Sequence, residues 1–534
     1  MKTIAVIEAS SVGALGLSSQ WHCDLDGKSL LARTVEAIQN TDLFSNIVVA
    51  TNLDMLLKTS NALQGVKVNI FQHSISEPIK RQQRRAKRKF ALNGWRGGID
   101  STYLFGELSH PELLLEVAKK YCADAVVQFD AEAPFIDADI VNGMLSCLQD
   151  SIAFGAAFTS APPGLGMQVY TCDKLQSLVE SQKTLDEMIA YNPSYLLDEP
   201  LISSYCYTVA LDISTVRQRF AANSPRLKDL VFSLWKSLNS KQRQDAFAVV
   251  NQYQTMFVNG ELVNVFPREI EWELSAKFSV NDSLRPQSIR TDFADLKVIK
   301  NRLAECSSWQ DVCLNLGAHG EPLLYPYLAD VLNIAKQSKI WATHITTYGA
   351  DLTESLVDTI KVNAPDVISI KLDAHSPALW NKFKSGFDFT KIVEQIQMAQ
   401  ELLPNTIFIP TFIKLRENIS EMEDFFDYWY QKTGWAVIEG FNDYCASMED
   451  RNPLRLLPSQ RRPCMSLMEQ LIIYSDGSIP VCKQDINADF AIANIADISI
   501  EQAWGKLGDY RKTHIDGHFQ KYEMCNKCKD WAHL

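Results

Sequence analysis

Short apolar runs rich in β-branched residues alternate with helical segments through about the first 213 residues. The strand-like runs include KTIAVIEAS, NIVVATN, VKVNIF and ADAVVQFD, and the helix-like segments include GKSLLARTVEAIQN and LLLEVAKKY. Such alternation is typical of βαβ units, in which a mostly parallel sheet carries helices on its faces. The pattern predicts an α/β domain of the Rossmann type, followed from about Ser214 to Tyr253 by mainly helical sequence.

A second alternation of strands and helices begins near Glu269. Six strand-like segments follow one another, namely EIEWELSAK, DVCLNLG, WATHITTYG, DVISIKLDA, TIFIPTFIK and WAVIEGF, with helical stretches such as YLADVLNIAKQ between them. Six βα repeats predict a partial (β/α)6 barrel with its site at the carboxyl ends of the strands, and an open doubly wound sheet is the alternative. After Asp443 the sequence is rich in loops and prolines. We therefore divide the chain into residues 1–260, 261–445 and 446–534.

Composition and charge narrow the class of protein. The chain has 534 residues, of which 46% are hydrophobic and 22% charged, so it resembles ordinary globular proteins and is too long for one core. Its net charge of −12 argues against general nucleic-acid binding, because proteins that bind polyanions usually carry a basic field. No apolar run approaches the roughly 20 residues of a membrane span. Charged Glu8 interrupts the first apolar run, so we expect no leader peptide and a cytoplasmic location.

One basic run departs from this acidic background. The segment KRQQRRAKRK occupies residues 80–89. It is compatible with a patch that binds phosphates, RNA or an acidic lipid surface. The run lacks interleaved aromatic residues for base stacking, so a solvated helix or loop is the favoured interpretation.

Twelve cysteines are spread through the chain. Without an export signal we expect reduced thiols, which leaves metal binding as their most informative role. The candidate metal ligands are Cys464, Cys482, Cys525 and Cys528, of which the last two form a Cys-x-x-Cys pair that reaches one metal from a single turn. A turn at Asp476–Gly477 predicts a hairpin that presents Cys482. Four thiolates suit either tetrahedral zinc or a [4Fe-4S] cluster, and their spacing leaves both open.

The order of these cysteines resembles the opening of a SPASM domain, the auxiliary-cluster module that follows many radical S-adenosylmethionine barrels. Twelve residues separate Cys464 from Gly477, four separate Gly477 from Cys482, and the Cys-x-x-Cys pair follows later. A full SPASM domain continues with further cysteines for a second cluster, and this sequence ends before them. The resemblance therefore implies one [4Fe-4S] cluster.

The region from about Glu269 to Asp443 resembles the radical S-adenosylmethionine barrel itself. LNLGAHGEPLLYP is similar to the second-strand motif of that family, and TTYGADLT and SIKLDAHSP are similar to the next two strand ends. The resemblance implies a cofactor-binding turn whose backbone receives the methionine amino group of S-adenosylmethionine. Its residues are His319, Gly320, Glu321 and Pro322.

The chain departs from that family after the first strand of the barrel. Where the family carries Cys-x-x-x-Cys-x-x-Cys, this sequence has Ser279, Ser283 and Pro286, which offer no thiolate to iron. We expect no cluster there and no 5′-deoxyadenosyl radical chemistry. S-adenosylmethionine would also lack the cluster that normally holds it in that family. Cys306 and Cys313 are expected to be buried thiols, and Cys445, just after the last strand, is either an extra ligand or, as we favour, a core thiol.

The N-terminal domain resembles nucleotidyltransferases of the CMP-sugar-synthetase type. The likeness rests on the opening strand, GKSLLARTVEAIQN, NIVVATN and VVQFDAEAPFIDADIV. It implies a phosphate contact at Lys28 and a magnesium ion at Asp130, with Glu132 beside it, and so a nucleotide and Mg²⁺ as cofactors. Together with the barrel and the SPASM tail, this combination resembles the spiro-SPASM proteins of spirochaetes.

The sequence leaves three functions open, and it does not decide whether the chain is an enzyme. The first is an iron-sulfur protein whose barrel has lost radical chemistry and acts as a binding, electron-transfer or modification-partner scaffold. The second is a nucleotidyltransferase acting on a sugar, with a regulatory C-terminal half. The third is a zinc-stabilised binding protein. A protein, a peptide or a nucleotide-sugar is the expected partner.

Overall fold

The protein folds into two compact units. The computed structural model describes residues 1–76, 108–189, 200–216, 218–262, 264–286, 288–454 and 457–532. Unit 1 comprises the described residues up to Leu262, and unit 2 comprises those from Asn264 onward. The basic run at residues 80–89 lies outside the described residues, so its role stays a prediction. Within the described ranges, no helix combines the length and apolarity needed to cross a bilayer.

Unit 1 is built on one mixed sheet of seven strands: β1 (Thr3–Glu8), β2 (Ile47–Asn52), β3 (Asn69–His73), β4 (Ala125–Phe129), β5 (Ala156–Thr159), β6 (Gln168–Thr171) and β7 (Cys206–Tyr207). The strand order is β3-β2-β1-β4-β6-β5-β7. β1 pairs in parallel with β2 and β4, whereas β6 runs antiparallel to β4 and β5. Because the connection order reverses between β1 and β4, the carboxyl ends of these two strands flank a crevice of the kind in which open α/β sheets bind ligands.

Helices cover both faces of this sheet. They are α1 (Leu30–Gln39), α2 (Leu56–Ala62), α3 (Pro111–Tyr121), α4 (Ala138–Asp150), α5 (Cys172–Ser181), α6 (Leu185–Ile189), α7 (Leu211–Ser214), α8 (Pro225–Ser237) and α9 (Ala246–Val258). Successive residues of a strand point to opposite faces. Ala5 and Ile7 of β1 accordingly join one buried core, and Ile4 and Val6 join the other. The predicted α/β class is confirmed.

Unit 2 contains a second seven-stranded sheet, here called the barrel sheet. Its strands are β8 (Glu269–Trp272), β10 (Cys313–Leu316), β11 (Ala342–Thr347), β12 (Val367–Lys371), β14 (Ile407–Lys414), β15 (Val437–Gly440) and β16 (Gln470–Ile473). All neighbouring pairs are parallel, in the order β15-β14-β12-β11-β10-β8-β16. Each of the six segments predicted as strands from their apolar pattern forms one. The seventh strand, β16, comes from the cysteine-bearing tail and extends the sheet beside β8.

Two small ribbons and ten helices complete unit 2. The ribbons pair β9 (Asn281–Asp282) with β13 (Lys384–Ser385) and β17 (Ser478–Ile479) with β18 (Ala493–Asn494). The helices are α10 (Leu296–Leu303), α11 (Leu328–Gln337), α12 (Glu354–Ile360), α13 (Pro377–Phe383), α14 (Phe389–Leu402), α15 (Met422–Thr433), α16 (Met465–Glu469), α17 (Ile500–Lys506), α18 (Gly508–Ile515) and α19 (Glu523–Lys527).

The barrel sheet curves around a polar lumen. Lys371 at the end of β12 interacts electrostatically with Glu271 on β8, although two strands separate β12 from β8. In a flat sheet, three strand spacings would hold these positions about 14 Å apart. The sheet therefore bends its inner face into a concave surface, while its outer face packs on helices. The edge strands β15 and β16 are not paired with each other, so the barrel is open.

Candidate metal centre

Four short elements present the cysteines predicted as metal ligands. Cys464 stands immediately before α16, and Cys482 follows β17. A turn with Gly477 at a positive φ of 83° joins β16 to β17, and the Gly477 amide donates to the Tyr474 carbonyl at 2.9 Å, as the Asp-Gly pair predicts. Cys525 lies within α19 and Cys528 ends it, so both sulfurs project from one helical turn.

The four thiols lie within electrostatic reach of one another. Burial raises the pKa of Cys482 well above its ordinary value, and Cys464, Cys528 and Cys525 raise it further. Burial, followed by Cys464 and Cys528, raises the pKa of Cys525 to about 11. All twelve cysteines are free thiols, and each lies among the described residues. Converging thiols that repel one another as thiolates need a cation between them, which is the electrostatic arrangement of a metal site.

Backbone amides favour the thiolate form at three of these sulfurs. The Asp530 amide donates to Cys528 Sγ at 3.3 Å. The amide of Gln484 lowers the pKa of Cys482, and amides in the first turn of α16 do the same for Cys464, both against the larger effect of burial. Amides directed at cysteine sulfurs are among the groups that tune iron-sulfur centres.

A cation and a histidine border the same four thiols. Arg461 Nη2 donates to the Cys525 carbonyl at 2.7 Å, and its charge lowers the pKa of both Cys525 and Cys528. His514 Nδ1 accepts from the Cys464 amide at 3.3 Å, while its Nε2 is buried without a hydrogen bond. Burial, then Arg461, lowers the pKa of His514 to about 4, so this ring is neutral near pH 7.

A zinc ion and a cuboidal cluster make different demands on the spacing of four thiolates. Among the described residues, which include all four cysteines, no three His, Cys, Asp or Glu side chains are close enough to hold one metal ion. Around one zinc ion, tetrahedral thiolates would lie about 3.8 Å apart, because each Zn–S bond is about 2.3 Å. A cuboidal cluster binds each thiolate at a different iron, so its four thiolates lie farther apart than those around one zinc ion.

A fifth cysteine, Cys445, adjoins the four. It follows β15 on a turn in which Tyr444, Cys445 and Ala446 all have positive φ angles of 48°, 57° and 67°. Interaction with Cys528 raises the pKa of Cys445 and lowers that of Cys528, and Cys445 Sγ also donates to Gln484 Oε1 at 4.0 Å. Cys445 is half-buried beside the site, whereas Cys306 and Cys313 are buried, as predicted.

An ion-pair network occupies the loop that follows β8. Arg285 Nη1 lies 2.6 Å from Asp282 Oδ2 and 2.8 Å from Asp373 Oδ2, and Lys384 Nζ lies 2.6 Å from the same Asp373 oxygen. Burial alone would raise the pKa of Asp373, but Arg285 and Lys384 lower it below its ordinary range. This network fixes the loop on which the resembled family carries its catalytic cluster.

The three loop positions aligned with that family's cysteines offer no metal ligands. Ser283 donates through both its amide (3.0 Å) and its hydroxyl (2.9 Å) to the Phe383 carbonyl. Ser279 Oγ is buried without a hydrogen bond, and Pro286 has no side-chain donor. The chemistry of these residues agrees with the departure noted in the sequence.

The turn predicted to bind a cofactor is tightly fitted into the barrel. A Cβ on Gly320 would lie 1.8 Å from the Ser275 carbonyl oxygen, so only glycine fits there. Glu321 is fully buried and accepts from Thr347 Oγ1 and from the Tyr348 amide, both at 2.9 Å. Burial raises the pKa of Glu321 to about 7. These contacts join the end of β10 to the end of β11.

His319 and Pro322 complete this turn. His319 Nε2 lies 3.0 Å from the Lys483 carbonyl and 3.2 Å from the Tyr474 hydroxyl, so the turn contacts the residue next to Cys482. Pro322 is buried and begins a short 3-10 turn with Glu321 as its cap. Whether this turn binds S-adenosylmethionine stays a prediction.

In unit 1 the structure brings Asp130 and Glu132 together but leaves Lys28 apart. Asn223 Nδ2 donates to Asp130 Oδ2 at 3.1 Å and to Glu132 Oε2 at 2.6 Å, and the Gln20 amide donates to Glu132 Oε1. Burial, then Asp130, raises the pKa of Glu132 to about 8. Lys28 forms an ion pair with Glu36 on α1 and is about half exposed. The carboxylates lie at the crevice beyond β4, and magnesium and nucleotide binding stay predictions.

Sequence reasoning missed several residues that complete these clusters. Asn223 lies 91 residues from Glu132, and His514 lies 50 residues from Cys464, so no local spacing could link them. Arg285 and Asp373 are likewise joined across 88 residues. Each missed residue makes its contact through tertiary folding, whereas Cys525 and Cys528 are linked by helical spacing alone.

Comparison with known proteins identifies the cysteine-bearing tail. Residues 464–529 match the SPASM family, described as an iron-sulfur cluster-binding domain, so this part of the predicted resemblance is confirmed. An uncharacterised protein of Treponema pallidum (strain Nichols) is 22% identical over 303 residues, which is 53% of this chain and 83% of that protein. The spiro-SPASM assignment stays a prediction.

Several solved structures are similar to parts of the chain. Streptococcus suis SuiB bound to precursor peptide SuiA is 12% identical with a TM-score of 0.40, over 67% of this chain and 89% of that chain. A cytidylyltransferase from Leptospira borgpetersenii serovar Hardjo-bovis (strain JB197) is 15% identical with a TM-score of 0.35, over 49% of this chain and 96% of that chain. Likeness at this level leaves the activity of either half undetermined.

Proposed function

We propose that this chain is an iron-sulfur protein that holds one [4Fe-4S] cluster and uses its barrel as a binding or electron-transfer scaffold without radical chemistry. The observation that carries the proposal is the convergence of four free thiols in the SPASM domain, each interacting with at least one of the others. The proposed ligands are Cys464, Cys482, Cys525 and Cys528. A reducing compartment such as the cytoplasm would keep them available.

The donor set supports a cluster over one zinc ion. The four sulfurs are all free thiols, and three of them, those of Cys464, Cys482 and Cys528, receive backbone amides. Cys525 is buried and the other three are half-buried, so solvent has little access to bound iron. A [4Fe-4S] cluster at this place would supply a one-electron redox centre. Arg461 would offset the negative charge of the thiolates that bind the cluster.

The loop after β8 supports the loss of radical chemistry. Radical cleavage of S-adenosylmethionine requires a second, site-differentiated cluster, and Ser279, Ser283 and Pro286 supply no thiolate for one. Arg285 and Asp282 instead tie this loop to Asp373. The barrel would then keep its fold for binding a protein, peptide or small-molecule partner.

Anaerobic purification followed by metal and sulfide counting tests the cluster. We expect about four irons and four sulfides per chain, and a large loss of both in Cys482→Ala. The matched control is Cys122→Ser, which changes an exposed cysteine of unit 1 and should keep the full iron content. One zinc per chain without sulfide would disprove the proposal.

A second experiment tests the loss of radical chemistry separately. The holoprotein, reduced with dithionite, is mixed with S-adenosylmethionine, and 5′-deoxyadenosine is sought by chromatography. We expect no tight binding and no product. Detection of 5′-deoxyadenosine in the wild type would overturn the scaffold assignment while leaving the cluster intact.

A further inference from the structure

Lys371 is a buried lysine without a partner at the carboxyl end of β12. Its side chain is 7% exposed. No hydrogen bond or ion pair to its ammonium group is found among the described residues, and the contact it does make is with the Tyr348 ring, 5.1 Å from the ring centroid. Buried lysines are normally paired, because an isolated ammonium group loses its hydration. An unpaired lysine at this position is available to a ligand.

The side chain of Lys371 points into the lumen of the barrel sheet. Its neighbour Ile370 faces the opposite way, since both Ile370 and Ile392 of α14 lie within 3.1 Å of the Cβ position of Gly349. The charged groups around Lys371 come from separate strands and loops, namely Arg285, Glu321, Asp282 and Glu271, and Glu439 of β15 interacts with it as well. Groups that surround one ammonium from β8, β15 and the intervening loops can meet only at the axis of the barrel.

Among the described residues, none of these neighbours forms an ion pair with the Lys371 amine. Asp282 forms an ion pair with Arg285. The oxygens of Glu321 accept hydrogen bonds from residues near the ends of β10 and β11. Glu271 accepts from Gln470 Nε2 at 2.9 Å. Burial, then the positive charge of Arg285, lowers the pKa of Lys371 to about 8. A substantial fraction of this amine is therefore uncharged and nucleophilic just above neutral pH, when ordinary lysines are almost fully protonated.

A second ammonium group, that of Lys483, interacts with two of the same carboxylates. Lys483 interacts electrostatically with Glu271, as Lys371 does, and both lysines interact with Glu439. No hydrogen bond or ion pair to Lys483 Nζ is found among the described residues. A ligand between the two lysines would meet a nucleophile at one end and a fixed positive charge at the other.

We propose that Lys371 is the nucleophile of a carbonyl-binding site in the barrel lumen, where it forms an imine with an aldehyde or ketone whose carboxylate is held by Lys483. The amine nitrogen attacks the carbonyl carbon to give a carbinolamine. The carbonyl oxygen then leaves as water with the two amine hydrogens, and a C=N bond forms. No redox partner is needed. This site is independent of the cluster proposed above and goes beyond the scaffold role.

Reductive trapping tests the proposal on the full-length holoprotein. Glyoxylate, an aldehyde with a carboxylate, is added with sodium cyanoborohydride, which reduces imines to stable amines, and modified lysines are quantified by peptide mass spectrometry. We expect Lys371 to be carboxymethylated about tenfold faster than exposed Lys382, the internal comparison. In the urea-unfolded chain the two lysines should react alike. Lys371→Arg should lose only the Lys371 adduct, and Lys382→Arg should leave it unchanged.

The anchoring role of Lys483 has its own measurement. Lys483→Gln should weaken the preference for Lys371 with glyoxylate and leave it unchanged with acetaldehyde, which has no carboxylate to hold. An equal loss with both aldehydes would overturn the anchoring role. Labelling of folded wild-type chain at Lys382 that matches or exceeds labelling at Lys371 would overturn the nucleophile itself, and this result needs no variant that might fail to fold.

Discussion

Arg285 donates a hydrogen bond to Asp373 over 2.8 Å and thereby joins the loop after β8 to the loop after β12. Both side chains are largely shielded, with 13% and 0% exposure. Lys384 adds a second cation to the same Asp373 oxygen. This contact gives the cysteine-less loop a fixed conformation that depends on charge pairing rather than on a metal. Burial, then the positive charge of Arg285, also lowers the pKa of Lys371.

Replacement of Asp373 with Asn should strongly destabilise unit 2. The change leaves Arg285 and Lys384 without their shared carboxylate, and breaking a buried charge network from one side costs about 3–5 kcal/mol. Urea unfolding monitored by tryptophan fluorescence measures the loss. The matched control is Asp358→Asn, whose partner Lys361 is about half exposed and whose loss should cost roughly 0–1 kcal/mol. Equal shifts for both variants would contradict a stabilising role for the network.

His319 should make unit 2 less stable in acid. Burial, then Arg290 and Lys371, lowers its pKa in the folded chain from 6.5 to about 3. The unfolded chain therefore binds the proton more readily between these values, so the contribution of His319 is complete above pH 6.5 and is lost as the pH falls towards 3. The free energy of unfolding should decline by up to about 1.4 kcal/mol per pH unit on this account.

The variant His319→Gln checks the assignment of that slope. Glutamine can still donate to the Lys483 carbonyl but does not titrate, so the difference in stability between pH 7 and pH 5 should shrink. Urea unfolding at the two pH values measures it. Exposed His518→Gln is the control and should retain the wild-type slope. A slope unchanged in His319→Gln would assign the acid sensitivity to other groups.

The strands could be predicted from the local sequence because each strand contains its own short run of apolar, β-branched residues. The run Val367–Lys371 is buried throughout, and its β-branched residues Val367, Ile368 and Ile370 would mark it as a strand in any context. Cys525 and Cys528 could likewise be recognised as a pair from their spacing alone. By contrast, the turn at Asp476–Gly477 predicts a hairpin but not the pairing of β16 with β8, whose residues lie about 200 positions earlier in the chain. Sequence alone shows an apolar run there but not the sheet that it joins.

The same distinction applies to the sites. Asp130 and Glu132 stand out because they follow a strand, yet the donor that holds them, Asn223, has no such signal. Lys371 is visible in the sequence as the last residue of a strand. Its lack of a partner is a property of the folded barrel, since it depends on Glu321 and Asp282 being engaged elsewhere.

Asn223→Asp should destabilise unit 1. The amide donates to both carboxylates of the buried pair, and an aspartate would replace a shared donor with a third acceptor. Losing two buried hydrogen bonds should lower the free energy of unfolding by about 2 kcal/mol or more. Urea unfolding checks this. The control is Asn251→Asp on the exposed face of α9, which should change stability little. A stable Asn223→Asp chain would contradict a stabilising role for these two hydrogen bonds.

Arg461 should set the reduction potential of the proposed cluster. Its guanidinium lies near Cys525 and Cys528, and a positive charge favours the reduced, more negative cluster. Arg461→Met should shift the potential downward by on the order of tens of millivolts. Redox titration followed by electron paramagnetic resonance measures the shift. Exposed Arg462→Met is the control, and a potential that moves equally in both variants would deny Arg461 a specific role.

Cys445 should prove dispensable for holding iron although it lies beside a ligand. Its pKa is raised, with the interaction with Cys528 as the largest cause, so Cys445 is the protonated partner and Cys528 the thiolate. Thiolates bind iron and thiols do not. Cys445→Ala should therefore keep about four irons per chain, whereas Cys528→Ala should lose most of them. Iron content in Cys445→Ala as low as in Cys528→Ala would instead make Cys445 a ligand and remove one of the four cysteines from that role.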